Sequence, residues 1–144
     1  MAMHIDVSET FAHPVGKVFT FLTDVSRHPE WMEEVSAVTR PPQMPLGVGS
    51  TYELSAQYFG RTATLNMEVV DFEQDRLFRL KSTGSMPTIT TWRMEPKENG
   101  TFLRFDFDGE PGDLYDMIAP GLTGQITRSF EAQLRNLKTL LDAE

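Results

Sequence analysis

A chain of 144 residues is the size of one domain and long enough to bury about two thirds of its unfolded surface around a single core. Its 40% hydrophobic and 24% charged residues are those of a soluble globular protein, not of a disordered segment. A net charge of −8 disfavours nucleic acid and anionic membranes as partners, and the absence of cysteine excludes disulfides, thiol nucleophiles and thiolate metal sites.

The opening Met1 to Asp6 carries neither a basic region nor an apolar run, and no stretch approaches the roughly 18 apolar residues of a membrane span, so a cytoplasmic location is expected. From Ile5 to Phe11 the residues alternate, with Ile5, Val7, Glu9 and Phe11 on one side, which predicts a strand. Pro14 suits a first helical position, and Val15, Val18, Phe19 and Leu22 then form a helical stripe. Asp24 to Met32 reads as a loop with one short helical turn from Ser26 to about Trp31. Val35 to Thr39 offers a second strand, and the Pro41 to Gly49 stretch, rich in proline and glycine, a loop.

Three hairpins follow, each testable by whether one register sorts both faces of the sheet. A turn at Phe59-Gly60 sets Tyr52 against Met67, Leu54 against Leu65 and Ala56 against Ala63. A turn at Gln74-Asp75 sets Val69 against Leu80 and Glu68 against Lys81. Asn99-Gly100 is the favoured pair for a type I′ turn, which sets Glu95 against Arg104, Arg93 against Asp106, Met94 against Phe105 and Trp92 against Phe107. The five strands of this meander run roughly over 50–58, 61–73, 76–83, 88–96 and 101–109. Beyond Pro111-Gly112, Leu114, Ile118, Leu122, Ile126, Phe130, Leu134, Leu137 and Leu141 mark a long amphipathic helix. Pro120, Gly121 and Gly124 predict a kink or break in its first half, since a proline in a helix interior costs about 3 kcal/mol. No linker or repeat divides the chain, so residues 1–144 are expected to form one domain of the α+β class.

This order of elements resembles the START-like helix-grip superfamily, often labelled SRPBCC. The stretch Phe11-Ala12-His13-Pro14-Val15-Gly16-Lys17-Val18-Phe19-Thr20-Phe21-Leu22-Thr23-Asp24 is similar to the family's opening, and Pro29-Glu30-Trp31 to its Pro-x-Trp element. Gly47-Val48-Gly49 and Trp92-Arg93-Met94-Glu95-Pro96 resemble later segments, and the branch most similar is the polyketide cyclase/dehydrase-like one. The resemblance implies a curved antiparallel sheet of about seven strands wrapped around the long C-terminal helix, with two short helices after the first strand. One such fold hosts transport, chaperone activation, cyclisation and dehydration, so the motif residues Pro14 and Trp31 are read as packing.

A bent sheet and one long helix cannot meet along their whole length, and the resemblance implies that the gap is a cavity. The registers nominate its sheet wall: Tyr52 and Leu54, then Leu65 and Met67, then Phe78, Leu80 and Ser82. Thr90 and Trp92 continue that wall, and Phe105 and Phe107 complete it, while Leu114, Ile118 and Leu122 face it from the helix. Ala56, Val69, Met94, Leu103 and Ile126 share these faces. An apolar lining with a few polar tips, here the Tyr52, Ser82 and Thr90 hydroxyls and the Trp92 N–H, is the usual build of a small-molecule site. Gly109, Pro111, Gly112, Pro120, Gly121 and Gly124 would let the helix start act as a gate.

Signals for chemistry are weaker. His4, His13 and His28 are scattered, and His28, near Glu30, Glu33 and Glu34, reads as part of a surface loop, so no metal site is expected. No G-x-S-x-G elbow accompanies Ser82. Asp106 and Asp108 alternate with Phe105 and Phe107 and read as a solvated outer face, where Arg79, Lys81, Arg93 and Arg104 also fall. Tyr52, Thr90 and Tyr115 remain as groups able to act on a carbonyl. The reading is a carrier or sensor of a small hydrophobic or aromatic molecule, without cofactor. Cyclase or dehydratase chemistry on a polyketide-like substrate is one alternative, and an interaction module resembling chaperone activators another.

Overall fold

The computed structural model describes residues 3–58, 61–83, 87–109 and 113–144, with side chains for all of these except 58, 61 and 113–123. Strand β1 (Met3–Phe11) leads into helix α1 (Val15–Thr23) and a 3₁₀ turn (Val25–Glu30). Then come β2 (Val35–Arg40), β3 (Thr51–Tyr58), β4 (Arg61–Glu73), β5 (Leu77–Thr83), β6 (Thr88–Lys97), β7 (Gly100–Gly109) and helix α2 (Asp113–Ala143). All seven strands form one antiparallel sheet in the order β1-β7-β6-β5-β4-β3-β2. The expected α+β architecture, a curved sheet around a C-terminal helix with short helices after the first strand, is the one found. Pro14 stands one place earlier than expected: with ψ 151° it is the extended residue before the first helical turn.

Two of the three hairpin registers hold where the sequence places them. Tyr52 faces Met67, Leu54 faces Leu65 and Ala56 faces Ala63. Val69 faces Leu80 and Glu68 faces Lys81, but a bulge between Val69 and Asp71 shifts the pairs beyond them to Asp71–Arg79, Phe72–Phe78 and Glu73–Leu77. The connection is therefore Gln74-Asp75-Arg76 rather than a pair, and Asp75 sits at φ 62°, a left-handed conformation that Asp tolerates.

The β6–β7 register is two residues from the expected one. Lys97 pairs with Gly100, Arg93 with Arg104, Met94 with Leu103 and Trp92 with Phe105. The turn pair is thus Glu98-Asn99, and neither residue has positive φ, so no type I′ turn forms. Gly100 serves a different purpose: a Cβ there would lie 1.9 Å from the Phe11 carbonyl oxygen. It is glycine because β1 comes so close, with Phe11 paired to Thr101. A slip of two leaves every side chain on its face, which is why the expected faces are right although the expected pairs are not.

Those faces build the core. Met3, Ile5, Val7 and Phe11 point inward from β1, and Leu103, Phe105 and Phe107 from β7. Phe130, Leu134, Leu137 and Leu141 close it from the second half of α2. Each such side chain contributes about 2 kcal/mol by leaving water. Trp31 is almost fully buried, as its packing role requires. Helix α2 is continuous from Asp113 to Ala143, so of the kink or break expected around Pro120 the break is absent. Proline removes one i to i−4 bond, and the ladders on either side carry the helix past it.

The outer face holds a further correction. Asp106 is only 5% exposed rather than solvated. Arg104 donates to it at 3.0 Å and Arg93 at 3.4 Å, so one carboxylate separates two cations that face each other across β6 and β7. His4, bonded to Asp108 at 2.7 Å, also approaches Asp6 and Asp106. The ligand-capable atoms of His4, Asp6 and Asp106 lie within 4.8 Å of one another, but Arg93 and Arg104 already occupy Asp106, and the group is an ion-pair network.

Candidate functional site

Between the sheet and α2 lies a cavity of about 70 Å³. β3 contributes Tyr52 and Leu54, β4 Leu65 and Met67, β5 Leu80, β6 Thr88, Thr90 and Trp92, and β7 Phe105 and Phe107. The 3₁₀ turn and the segment after it add His28, Met32 and Glu34, β2 adds Val35, and α2 adds Phe130 and Gln133. Two nominated residues stand beside the space instead of on it. Phe78 stacks on Trp92 with ring centroids 5.7 Å apart, and the Ser82 hydroxyl lies 2.5 Å from that of Thr88. The side chains of Leu114, Tyr115, Ile118 and Leu122 fall outside the described ones, as do Pro111 and Gly112.

The cavity wall is largely aromatic. Trp92 meets Phe105 at 5.1 Å, and Phe130 meets both Phe105 and Phe107 at 5.0 Å. Tilted and edge-on pairs of this kind add about 1 kcal/mol each to the area they bury. Into this wall are set two hydroxyls, Tyr52 Oη and Thr90 Oγ1, that are buried and lack a hydrogen-bond partner. Trp31 Nε1 is a third such atom, on a residue that does not line the space. Burial pushes the Tyr52 phenol well above its ordinary pKa, so it stays a proton donor.

His28 is buried, contrary to the surface loop expected of it, because the 3₁₀ turn folds its ring against Trp31 and Trp92. Burial is the chief cause that lowers its pKa to about 4, opposed by its hydrogen bond to the Leu22 carbonyl. That bond, 2.8 Å from Nε2, has an oxygen that can only accept, so Nε2 carries the proton and Nδ1 of the neutral ring is the acceptor. Glu34 accepts on one oxygen from the Ser129 hydroxyl and on the other from the Gln133 amide. These polar groups can hold a ligand's carbonyl or hydroxyl, and Nδ1 of His28 and Glu34 are acceptors for a proton.

A sequence model of the family described as polyketide cyclase/dehydrase and lipid transport matches residues 2–142. The chain belongs to this family. No curated protein matches it in sequence. Among solved structures it is similar to TTHA0849 from Thermus thermophilus, with a TM-score of 0.82 and 15% identity over 98% of each chain. It is also similar to the Zhui aromatase/cyclase from a Streptomyces species, with a TM-score of 0.78 and 18% identity over 99% of this chain and 94% of that one. Ara h 8.0201 aligns over 100% of both chains with a TM-score of 0.75 and 11% identity. At such identities the likeness is one of fold.

Within this polyketide cyclase/dehydrase-type fold, several lining residues were not nominated from sequence. Gln133 could have been: it lies three residues after Phe130 and seven after Ile126, a polar residue inside an apolar stripe. His28 and Glu34 carry no such mark, because their hydrogen-bond partners, the Leu22 carbonyl and Ser129 and Gln133 of α2, come from other elements. No helix among the described residues is long and apolar enough to cross a membrane.

Proposed function

We propose that the chain binds a small, largely apolar molecule in the cavity between the sheet and α2, as a cytoplasmic carrier or sensor. The observation that carries this is the pair of buried hydroxyls of Tyr52 and Thr90, which have no partner in an otherwise apolar wall. An unpaired buried hydroxyl costs about 1–3 kcal/mol, whereas Phe and Val would fill the same space without that cost. A bound carbonyl or hydroxyl relieves it. Leu54, Leu65, Met67, Leu80, Trp92, Phe105 and Phe107 supply the apolar contacts, and Leu114, Ile118 and Leu122 of α2 extend them.

The space of about 70 Å³ is smaller than the roughly 300–1,000 Å³ of sites that enclose a drug-sized ligand. A ligand of more than one ring therefore enters by displacing the Phe130 and Gln133 wall. A thermal-shift screen of aromatic polyketides, sterols and fatty acids tests the proposal. A stabilising compound whose effect is lost in Tyr52→Phe supports it, and no shift across all three classes refutes it.

A second reading is favoured by one observation. His28 and Glu34 share the lining with the Tyr52 hydroxyl, so a base and a donor stand at one cavity, as a cyclase or dehydratase would need. Likeness to an aromatase/cyclase supports that reading at the level of fold. Turnover of a poly-β-carbonyl substrate, abolished in His28→Gln or Glu34→Gln without loss of binding, would establish it. Binding without turnover leaves the carrier.

A further inference from the structure

The lining also fixes the charge of what it takes, an inference that rests on the cavity being a binding site. Among the described residues no Lys or Arg lines the cavity. Residues 110–123, which include the first third of α2, contain neither in sequence, and Arg61, at the start of β4, is the one cationic side chain outside the described ones. His28 offers no positive charge either, since its ring is buried and neutral with Nε2–H committed to the Leu22 carbonyl. Glu34 adds an acid to the same wall, its oxygens accepting from Ser129 and Gln133.

A carboxylate or phosphate brought here would shed its water and find no cation among the described lining residues in return. The transfer of an unpaired ion out of water costs far more than the two hydroxyls can repay. A neutral carbonyl or hydroxyl meets the opposite situation. Tyr52 Oη and Thr90 Oγ1 are buried and unpartnered, each able to donate one bond and accept others. Their strands present them to the same space, Tyr52 from β3 and Thr90 from β6.

We propose that the cavity is selective for neutral ligands, ring compounds bearing a carbonyl or hydroxyl that bonds the Tyr52 or the Thr90 hydroxyl, and rejects carboxylates and phosphates of the same shape. The free fatty acids that a lipid carrier would hold by their headgroup are thereby excluded as its ligands.

Matched probes test this on the full chain at pH 7 by isothermal titration. The single-ring set is toluene, phenol, acetophenone and benzoate, and the two-ring set 2-methylnaphthalene, 2-naphthol, 2-acetylnaphthalene and 2-naphthoate. The ketone and phenol are expected to bind at least about tenfold more tightly than the carboxylate of the same ring count. Thr90→Val, which keeps the shape of the side chain, or Tyr52→Phe is expected to shrink their advantage over the hydrocarbon severalfold, and an advantage that survives both substitutions overturns the proposal. A carboxylate that binds as well as its ketone overturns the selectivity while leaving the binding site standing. Hydrocarbons, ketones, phenols and carboxylates all failing to bind overturn the site itself, and the selectivity with it.

Discussion

The Glu34 carboxylate accepts a hydrogen bond from the Gln133 amide across the rim of the cavity, and its second oxygen accepts from Ser129, one helical turn earlier on α2. A single acid just ahead of β2 thus ties the middle of the long helix to the sheet. Helix α2 bears on both the stability of the fold and the opening of the cavity, and this clamp couples the two. Glu34→Ala is expected to cost about 2 kcal/mol, since bonds to a charged acceptor contribute about 1.5–3 kcal/mol each and the site is only partly buried. Urea unfolding measures that loss. Hydrogen exchange should quicken around residues 126–133 in the variant and little elsewhere, whereas a uniform change across the chain would contradict a local clamp.

The buried ring of His28 makes stability depend on pH. Its pKa is about 4 in the folded chain against 6.5 in the unfolded one, so between these values the unfolded chain holds the extra proton. The stabilisation is complete above pH 6.5, falls as the pH drops and is spent below about 4, with a total of roughly 3 kcal/mol. Denaturation midpoints of the wild type and His28→Phe, compared from pH 7.5 to 4.5, should show the variant losing markedly less stability over that range. Parallel curves would contradict a neutral buried ring.

Gly100 is held to glycine by contact rather than by backbone angle. Gly100→Ala forces a methyl to within 1.9 Å of the Phe11 carbonyl oxygen unless β1 and β7 part. A loss of more than about 2 kcal/mol is expected, the range of overpacking in a closed site. Gly47→Ala, where nothing lies within 4 Å of the added carbon, should be close to neutral. Equal effects at the two positions would refute the close-approach explanation.

Arg93 and Arg104 face each other, with Asp106 bonded to both. Like charges directly opposed in a sheet repel. Asp106→Asn should therefore lower the melting temperature, and adding Arg93→Thr in the same chain should recover part of the loss. Additive losses in the double variant would show that the arginines do not interact.

Much of this architecture is written in period and parity. Alternation places the strands and their inward faces, because a pleated strand exposes each side every second residue whatever its partner. The helical stripe from Ile126 to Leu141 identifies the helix that fills the sheet. What escapes the sequence are contacts between distant segments. Asn99-Gly100 looks like a turn pair, but the demand on Gly100 comes from Phe11, far away in sequence. Asp106 looks solvated by alternation, yet two arginines cover it. The apolar half of the cavity, from Tyr52 to Phe107, is legible for the same reason as the strands. Its polar groups His28 and Glu34 are not, since the atoms that hold them by hydrogen bonds belong to α1 and α2.

The most direct test of the cavity as a binding site is native mass spectrometry of the purified full chain, before and after incubation with 2-acetylnaphthalene, beside Thr90→Phe. That substitution puts a ring into the space of about 70 Å³, and a melting curve checks that the variant is folded. The account predicts one small-molecule mass increment on the wild type, carried from the cell or taken up from solution, and none on folded Thr90→Phe. A wild-type spectrum that stays at the bare polypeptide mass under both conditions, or an increment that the filled variant retains, would contradict it.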